Sequence, residues 1–390
     1  DKRNYNISGT LNTHEFFPKS WGLNIPVTFG YNRSYQIPKY KPGSDVPIKN
    51  SSEKLSFLST STGKSFGWSF KKSNSRSLLG RLLIDPWNIS NGFSSSSNLG
   101  PEVRDTSFRE NYSVSYSYNP KVEIRLFNRL INLLPNYRIG YSYNRDFNRR
   151  FILGSQITTE RKDGQLSGDI NYNLVPGIFT VSYGFSRMGD YRFDSSLLGY
   201  EAGFGERYSG SLNIPQFLYV QPSFSYNHNY RENRSLEIRP SPNLDVRNLD
   251  ENLDVQASFG IFHGQLLSKI GSLRDESRDT SLQTAGPIHT ILYGIDKLSQ
   301  FWNNLRVTYT FSRNSRYNLV ERRANWRYRL GISNDPQAGI SRDSFSNAWA
   351  ERNAVDMNTG ISFANVSLQP RYAFSRTLSY TKVKQSITKE

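Results

Sequence analysis

Residues 137–144 read YRIGYSYN, and the reading of this stretch decides the fold class. Tyr137, Ile139, Tyr141 and Tyr143 fall on one phase. Arg138, Gly140, Ser142 and Asn144 fall on the other. A period of two places the two sets on opposite faces of an extended strand. The same beat runs through Tyr112, Val114, Tyr116 and Tyr118 against Ser113, Ser115 and Ser117. It runs again through Phe179, Val181, Tyr183 and Phe185, and through Leu23–Tyr31. It returns at Phe224–Tyr226, Val255–Ile261, Leu305–Phe311, Trp326–Ile332 and Tyr372–Phe374. One face is aliphatic and aromatic; the other is mostly Ser, Thr, Gly, Asn and Arg.

Two architectures use such strands. A soluble sandwich buries the apolar face in a core and wets the other. An outer-membrane barrel turns the apolar face to lipid and the polar face to a watery lumen. Three features favour the barrel. Leu23–Tyr31 alternates over a length close to the roughly 9–11 residues that cross a bilayer. Tyr recurs near strand ends, at Tyr31, Tyr118, Tyr143 and Tyr226, as a membrane–water girdle requires. The polar phase carries Arg138, Arg306, Arg327 and Arg329, which become the candidate lumen-facing basic residues. The expected fold is therefore all-β: a transmembrane antiparallel outer-membrane β-barrel over residues 1–390.

Bulk composition is consistent with this reading. The chain has 390 residues, 36% of them hydrophobic and 14% aromatic. It has no apolar run long enough for a transmembrane helix, which needs about 20 residues. Barrel strands escape that test, because only alternate residues face lipid. With no cysteine, a disulfide scaffold and a thiolate metal site are excluded. The net charge of +16 fits a solvated basic surface or a positive lumen that attracts anionic partners. No nucleic-acid recognition motif accompanies it, so nucleic acid is not expected as a partner.

Counting the runs predicts roughly 14–16 strands at about 25 residues per strand and connection. Residues 39–65, with Pro42, Gly43 and Pro47, read as a long loop, and so do residues 231–251, with Pro240 and Pro242. Two stretches leave the beat as candidate amphipathic helices in connections. In 122–134, Val122, Leu126, Leu130 and Leu133 fall at helical spacing, although Val122, Ile124 and Leu126 also alternate. In 287–304, Ile288, Ile291, Leu292, Ile295, Leu298 and Trp302 share one side.

The search for chemistry is negative. His14, His228, His263 and His289 are far apart, with no paired metal spacing, and each reads as a polar loop or lumen residue. No GxSxG elbow supports a hydrolase. The chain is expected to be no enzyme, with no cofactor, no metal and no catalytic residue.

Residues 4–48 read NYNISGTLNTHEFFPKSWGLNIPVTFGYNRSYQIPKYKPGSDVPI. The FFPKSWG segment (Phe16–Gly22), the LNIPVTFGYN strand that follows and the PKYKPGSDVPI stretch (Pro38–Ile48) resemble the SprA family. NYSVSYSYN (Asn111–Asn119) and LLPNYRIGYSYNRDFNRR (Leu133–Arg150) look like later strands of that family. SprA proteins are the giant outer-membrane translocons of type nine secretion. The resemblance implies a bacterial outer-membrane conduit for folded cargo, with a role in gliding motility. It also implies membrane lipids, secreted cargo proteins, and plug and accessory translocon subunits as partners. The chain departs from the family in its short length and in lacking a recognisable plug or periplasmic domain. Its polar end, TKVKQSITKE, fits an interior piece of a longer chain, so the resemblance implies one segment of a very large barrel. The alternatives are a porin, a TonB-type receptor or a lipopolysaccharide-export barrel, and behind those a soluble β-rich adhesin.

Overall fold

The computed structural model describes residues 2–41, 44–75, 77–100, 103–120, 122–126, 129–152, 155–194, 196–234, 246–262, 304–339, 347–363 and 366–381, together with 265, 291 and 294. The strands in chain order are β1 (Lys2–Asn12), β2 (Leu23–Asn24), β3 (Pro26–Gln36), β4 (Ser59–Lys72), β5 (Trp87–Leu99), β6 (Val103–Tyr118), β7 (Glu123–Leu126), β8 (Arg129–Asn132), β9 (Asn136–Ile152), β10 (Ser155–Val175), β11 (Phe179–Asp190), β12 (Tyr200–Asn213), β13 (Val220–Arg234), β14 (Arg247–Ile261), β15 (Leu305–Val320), β16 (Ala348–Asn358), β17 (Ile361–Phe363), β18 (Val366–Leu368) and β19 (Arg371–Thr381). Fifteen of these belong to the main sheet, and two hairpins, β7–β8 and β17–β18, stand apart from it. The described helices are short: two 3-10 turns (Thr13–Phe16 and Lys19–Trp21), α1 (Ser51–Ser56), α2 (Leu78–Leu83) and a single turn at Trp326–Arg329. Among the described residues no helix is long and apolar enough to cross a membrane.

The chain divides into two units. Unit 1 holds Asp1–Asn119, Asn136–Asp169 and Phe185–Phe204; unit 2 holds Pro120–Pro135, Ile170–Gly184 and Gly205–Glu390. Within unit 1, antiparallel ladders join β1, β3, β4, β5, β6 and β9 in that order. Within unit 2, they join β13, β14, β15, β16 and β19. Among the described residues, β1 is laddered on one side only, to β3, and β19 only to β16.

Several sequence expectations need correction. The Leu23–Tyr31 run is not one strand. It breaks at Ile25, whose carbonyl accepts the Thr13 hydroxyl at 2.6 Å and the Thr13 N–H at 3.2 Å. The loop expected at 39–65 ends early, since α1 forms inside it and β4 starts at Ser59. The loop expected at 231–251 is narrower too: β13 runs to Arg234 and β14 starts at Arg247. In the stretch expected as a helix at 122–134, Glu123–Leu126 and Arg129–Asn132 instead pair as β7 and β8, Glu123 with Asn132 and Leu126 with Arg129. The alternation of Val122, Ile124 and Leu126 outweighs the helical spacing, which Arg129 already spoils. Trp326–Ile332 is not a strand: the Asn325 side chain accepts the Tyr328 N–H at 2.8 Å and starts a helical turn instead. The helix expected at 287–304 lies outside the described residues, apart from Ile291, Gly294 and Asn304.

Candidate functional site: a two-faced wall and the strap on it

Residues directly opposed in a ladder share a face, so the register sorts the side chains. In unit 1 one set of rows is apolar. Leu11, Val27, Trp68, Asn91, Tyr112 and Tyr143 form one row; Phe70, Ile89, Val114 and Tyr141 form another. The intervening rows are small and polar: Thr10, Thr28, Gly67, Gly92, Asn111 and Asn144, or Ser69, Ser90, Ser113 and Ser142. Hydroxyls on this face satisfy one another across strands, as in Ser90–Ser113 at 2.6 Å and Ser96–Ser107 at 2.7 Å. Two ion pairs bridge its strands, Arg109–Asp146 at 2.6 Å and Arg150–Asp105 at 2.8 Å.

Unit 2 repeats the division. Phe224, Ala257, Tyr309, Val355 and Phe374 form an apolar row; Ser225, Gln256, Thr310, Ala354 and Ser375 form a polar one. The apolar rings are not stacked into a core. Phe29 is 48% exposed, Phe66 46% and Phe259 45%. Among the described residues the buried hydrophobic side chains are few, and apart from Ile48 they all lie in or beside residues 321–339. A sandwich would have hidden these rings.

Residues 321–339, which follow β15, are a strap folded onto the wall. Its two arms are joined by backbone bonds: Glu321 N–H to Gly339, Arg322 N–H to Ala338 and Asn325 N–H to Pro336, all at 2.9–3.0 Å. The strap covers a patch where the apolar phase continues past the apolar rows but changes chemistry. There the phase carries His228, Tyr230 and Glu232 on β13, Leu249, Glu251 and Leu253 on β14, and Arg313, Ser315 and Tyr317 on β15. Tyr328 is fully buried there, edge-on to Tyr230 at 6.0 Å and to Tyr317 at 5.9 Å, with its hydroxyl 2.6 Å from Ser315. Burial pushes the Tyr328 phenol well above its ordinary value.

Three buried carboxylates fix the strap. Glu251 accepts from Arg313 at 2.5 Å and from Ser315 at 2.6 Å, and His228 Nε2 lies 3.2 Å away. The same Arg313 guanidinium donates to the strap carbonyls of Gly331 and Ser333, both at 2.9 Å. Glu232 accepts from Tyr230 at 2.7 Å and from the strap's Arg323 at 2.9 Å. Glu206 accepts from the strap's Arg329 at 2.7 Å. Burial acts to lower the Arg329 pKa, but the Glu206 carboxylate outweighs it and raises it. Gly331, at φ +74°, sits where a Cβ would meet His228 Cδ2 at 2.8 Å, so the strap approaches this closely only as glycine. Buried charges need such pairing, because a lone one costs several kcal/mol.

The four candidate arginines part company. Arg138 and Arg306 stand on the polar strand face, opposite Ser117 and Gly260. Arg306 Nε donates to Ser258 Oγ at 3.2 Å. Arg327 and Arg329 are not on that face at all. They belong to the strap, which lies on the opposite side of the sheet; Arg329 turns inward to Glu206 and Arg327 stacks on Trp326 at 5.5 Å. His228 is no loop or lumen residue but a buried strand residue. His14 lies in a short turn, and His263 and His289 lie outside the described residues. Glu206, Glu232, Glu251 and Arg313 were not singled out from sequence. Their signal was present: Tyr230–Glu232 and Leu249–Glu251–Leu253 keep the strand phase while placing carboxylates on the greasy side. Among the described residues no group of three or more potential ligands gathers to hold a metal. The buried cluster closes on itself, so its chemistry is that of a clamp.

No protein-family model matches the chain, and no curated protein does. Among solved structures it is similar to CdiB from Acinetobacter baumannii, at 8% identity with a TM-score of 0.28. That match covers 97% of this chain and 60% of the other, so the chain spans about 60% of that structure's length.

Proposed function

We propose that this chain is wall from an outer-membrane β-barrel, and that the barrel is a protein conduit similar to the SprA translocon of type nine secretion. The observation that carries the reading is the separation of faces. In each unit exposed apolar rows run across the strands on one side, while the other side is lined by hydroxyls, amides, glycines and arginines. Water is a poor neighbour for so broad an apolar surface, since monomers rarely expose patches beyond a few hundred Å². Hydrocarbon is a good one.

The dimensions support it. The apolar stretch Val255–Ile261 pairs with Leu305–Phe311 along seven residues. At about 3.3 Å per residue that is roughly 23 Å, against a lipid-facing band of about 25 Å. The strand edge of β1, laddered on one side only among the described residues, is intolerable in lipid unless another strand covers it. The sequence resemblance over residues 4–48 selects secretion among the conduits, with exported proteins as cargo and gliding in species that move.

Depletion of the protein from its own cells tests this. Cargo that normally reaches the surface should accumulate in the periplasm, and the chain should fractionate with the outer membrane. Export at the normal rate after depletion refutes the conduit. Recovery in the aqueous fraction without detergent refutes the barrel.

A further inference from the structure

The strap has an outward side that the clamp does not use. Its helical turn points Tyr328 into the sheet and leaves Trp326 60% exposed, with the exposed Arg327 guanidinium stacked 5.5 Å from the indole. Ile332, 66% exposed, is held beside them by its N–H bond to the Arg327 carbonyl at 2.8 Å. The turn is rigid, because Asn325 caps it and three buried carboxylates hold the strap. It also has a fixed height on the wall. Tyr226, which lies beside the apolar row of Phe224, donates its hydroxyl to the Leu330 carbonyl. The exposed cluster therefore sits where the apolar rows give way to the charged patch.

Unit 1 carries the same arrangement, built from a different turn. After β11, Tyr191 turns inward onto Tyr143, with ring centroids 5.3 Å apart, and its hydroxyl meets that of Tyr141. Both partners belong to the apolar face of β9. Outward, the exposed Phe193 ring lies 5.4 Å from the Arg192 guanidinium, which is itself held by the buried Asp190 (Nε at 3.1 Å, a terminal nitrogen at 2.6 Å), and Leu197 is 85% exposed. The Leu197 side chain has not strayed there, since Tyr191 holds its carbonyl at 2.7 Å and Arg187 holds that of Leu198 at 2.7 Å. Each unit thus shows an inward tyrosine, an outward aromatic with an arginine against it, and an outward aliphatic residue.

We infer that each turn, within its own unit, is a lipid-binding collar element: Trp326, Arg327 and Ile332 of the strap insert into the phosphate-bearing headgroup layer at the margin of the apolar rows of unit 2, and Phe193 and Leu197 do so beside the apolar face of unit 1. The inference rests on the membrane reading given above. The chemistry matches one partner. Amphipathic rings favour the boundary between hydrocarbon and water. A guanidinium bonds phosphate oxygens bidentately, and its aliphatic stem can lie along the hydrocarbon edge. Exposed isoleucine and leucine need a shallow apolar layer beside them.

The cysteine-free sequence makes depth measurement direct. Single cysteines are placed by Ile332→Cys, Leu197→Cys, Asp335→Cys and Phe259→Cys in the protein. Each carries a nitroxide, in vesicles of phosphatidylethanolamine and phosphatidylglycerol, and is read for oxygen against nickel-chelate accessibility. Positions 332 and 197 should read between 259 in hydrocarbon and 335 in water. Adding Arg327→Glu should move position 332 toward the water value. Water-like readings at 332 and 197 with a hydrocarbon reading at 259 overturn the collar and leave the barrel standing. Labels at 332 and 197 shielded from both reagents mean a protein covers the turns, which overturns the lipid assignment. A water reading at 259 removes the membrane reading itself.

Discussion

Truncating Tyr328 should release the strap and leave the wall intact. The ring is fully buried against Tyr230 and Tyr317, and its hydroxyl lies 2.6 Å from Ser315. Removing a buried aromatic side chain costs about 3–5 kcal/mol. At about 1.4 kcal/mol for each factor of ten, Tyr328→Ala should raise the opening equilibrium of the strap by roughly two to three and a half powers of ten. Tyr328→Phe keeps the ring and loses one hydrogen bond, while Ser315 keeps its bond to Glu251. That costs about 1 kcal/mol, or roughly fivefold. Hydrogen exchange read by mass spectrometry separates the two regions, because local opening exposes strap amides without unfolding the ladders. Peptides over 321–339 should lose protection in the order Ala, then Phe, then wild type, with β13–β15 unchanged. Full strap protection in Tyr328→Ala would refute the clamp. Equal loss over β13–β15 would show that strap and wall are one cooperative unit.

Arg329→Ala removes the counter-charge of the buried Glu206 carboxylate and leaves it the Tyr183 hydroxyl at 3.2 Å, and breaking such a pair costs about 3–5 kcal/mol; Arg329 keeps some exposure, so the low end is expected. Adding Glu206→Leu should restore much of the strap's exchange protection; no recovery contradicts the pairing. Phe66→Arg places a cation in the apolar band and should cost about 2–4 kcal/mol of stability in vesicles. Ser65→Arg, one residue away on the other face, should stay within about 0.5 kcal/mol, and equal costs would mean the two faces share one environment. Tyr328, with its phenol raised above the ordinary 10.0, favours the docked strap fully below pH 10 and loses that contribution as pH climbs beyond it. Tyrosinate absorbance should therefore show Tyr328 titrating only with strap opening; ionisation near 10 in the docked state contradicts this.

The two-faced wall was legible because its signal is local. A period of two over Tyr112–Tyr118 or Tyr137–Tyr143 needs no knowledge of neighbours, and the ladders kept both phases. The sequence could not show where the phase changes company. Arg327 and Arg329 alternate with Trp326, Tyr328 and Leu330 as a strand would, and only the Asn325 cap turns them helical. Leu249, Glu251 and Leu253 look like a strand interrupted by a charge until the strap supplies a cover and Arg313 a counter-charge. Glu206 and Arg329 stand 123 residues apart in sequence, and no local pattern joins them.

The direction in which the apolar rows point can be measured by thiol reactivity in the native membrane. Single cysteines at Ser65, Ser113 and Gly260 should react with water-soluble thiol reagents. Cysteines at their neighbours Phe66, Val114 and Phe259 should react only with lipid-soluble ones. Water-soluble reagents reaching both sets, or neither reagent reaching Phe66, Val114 and Phe259, would contradict a lipid-facing wall.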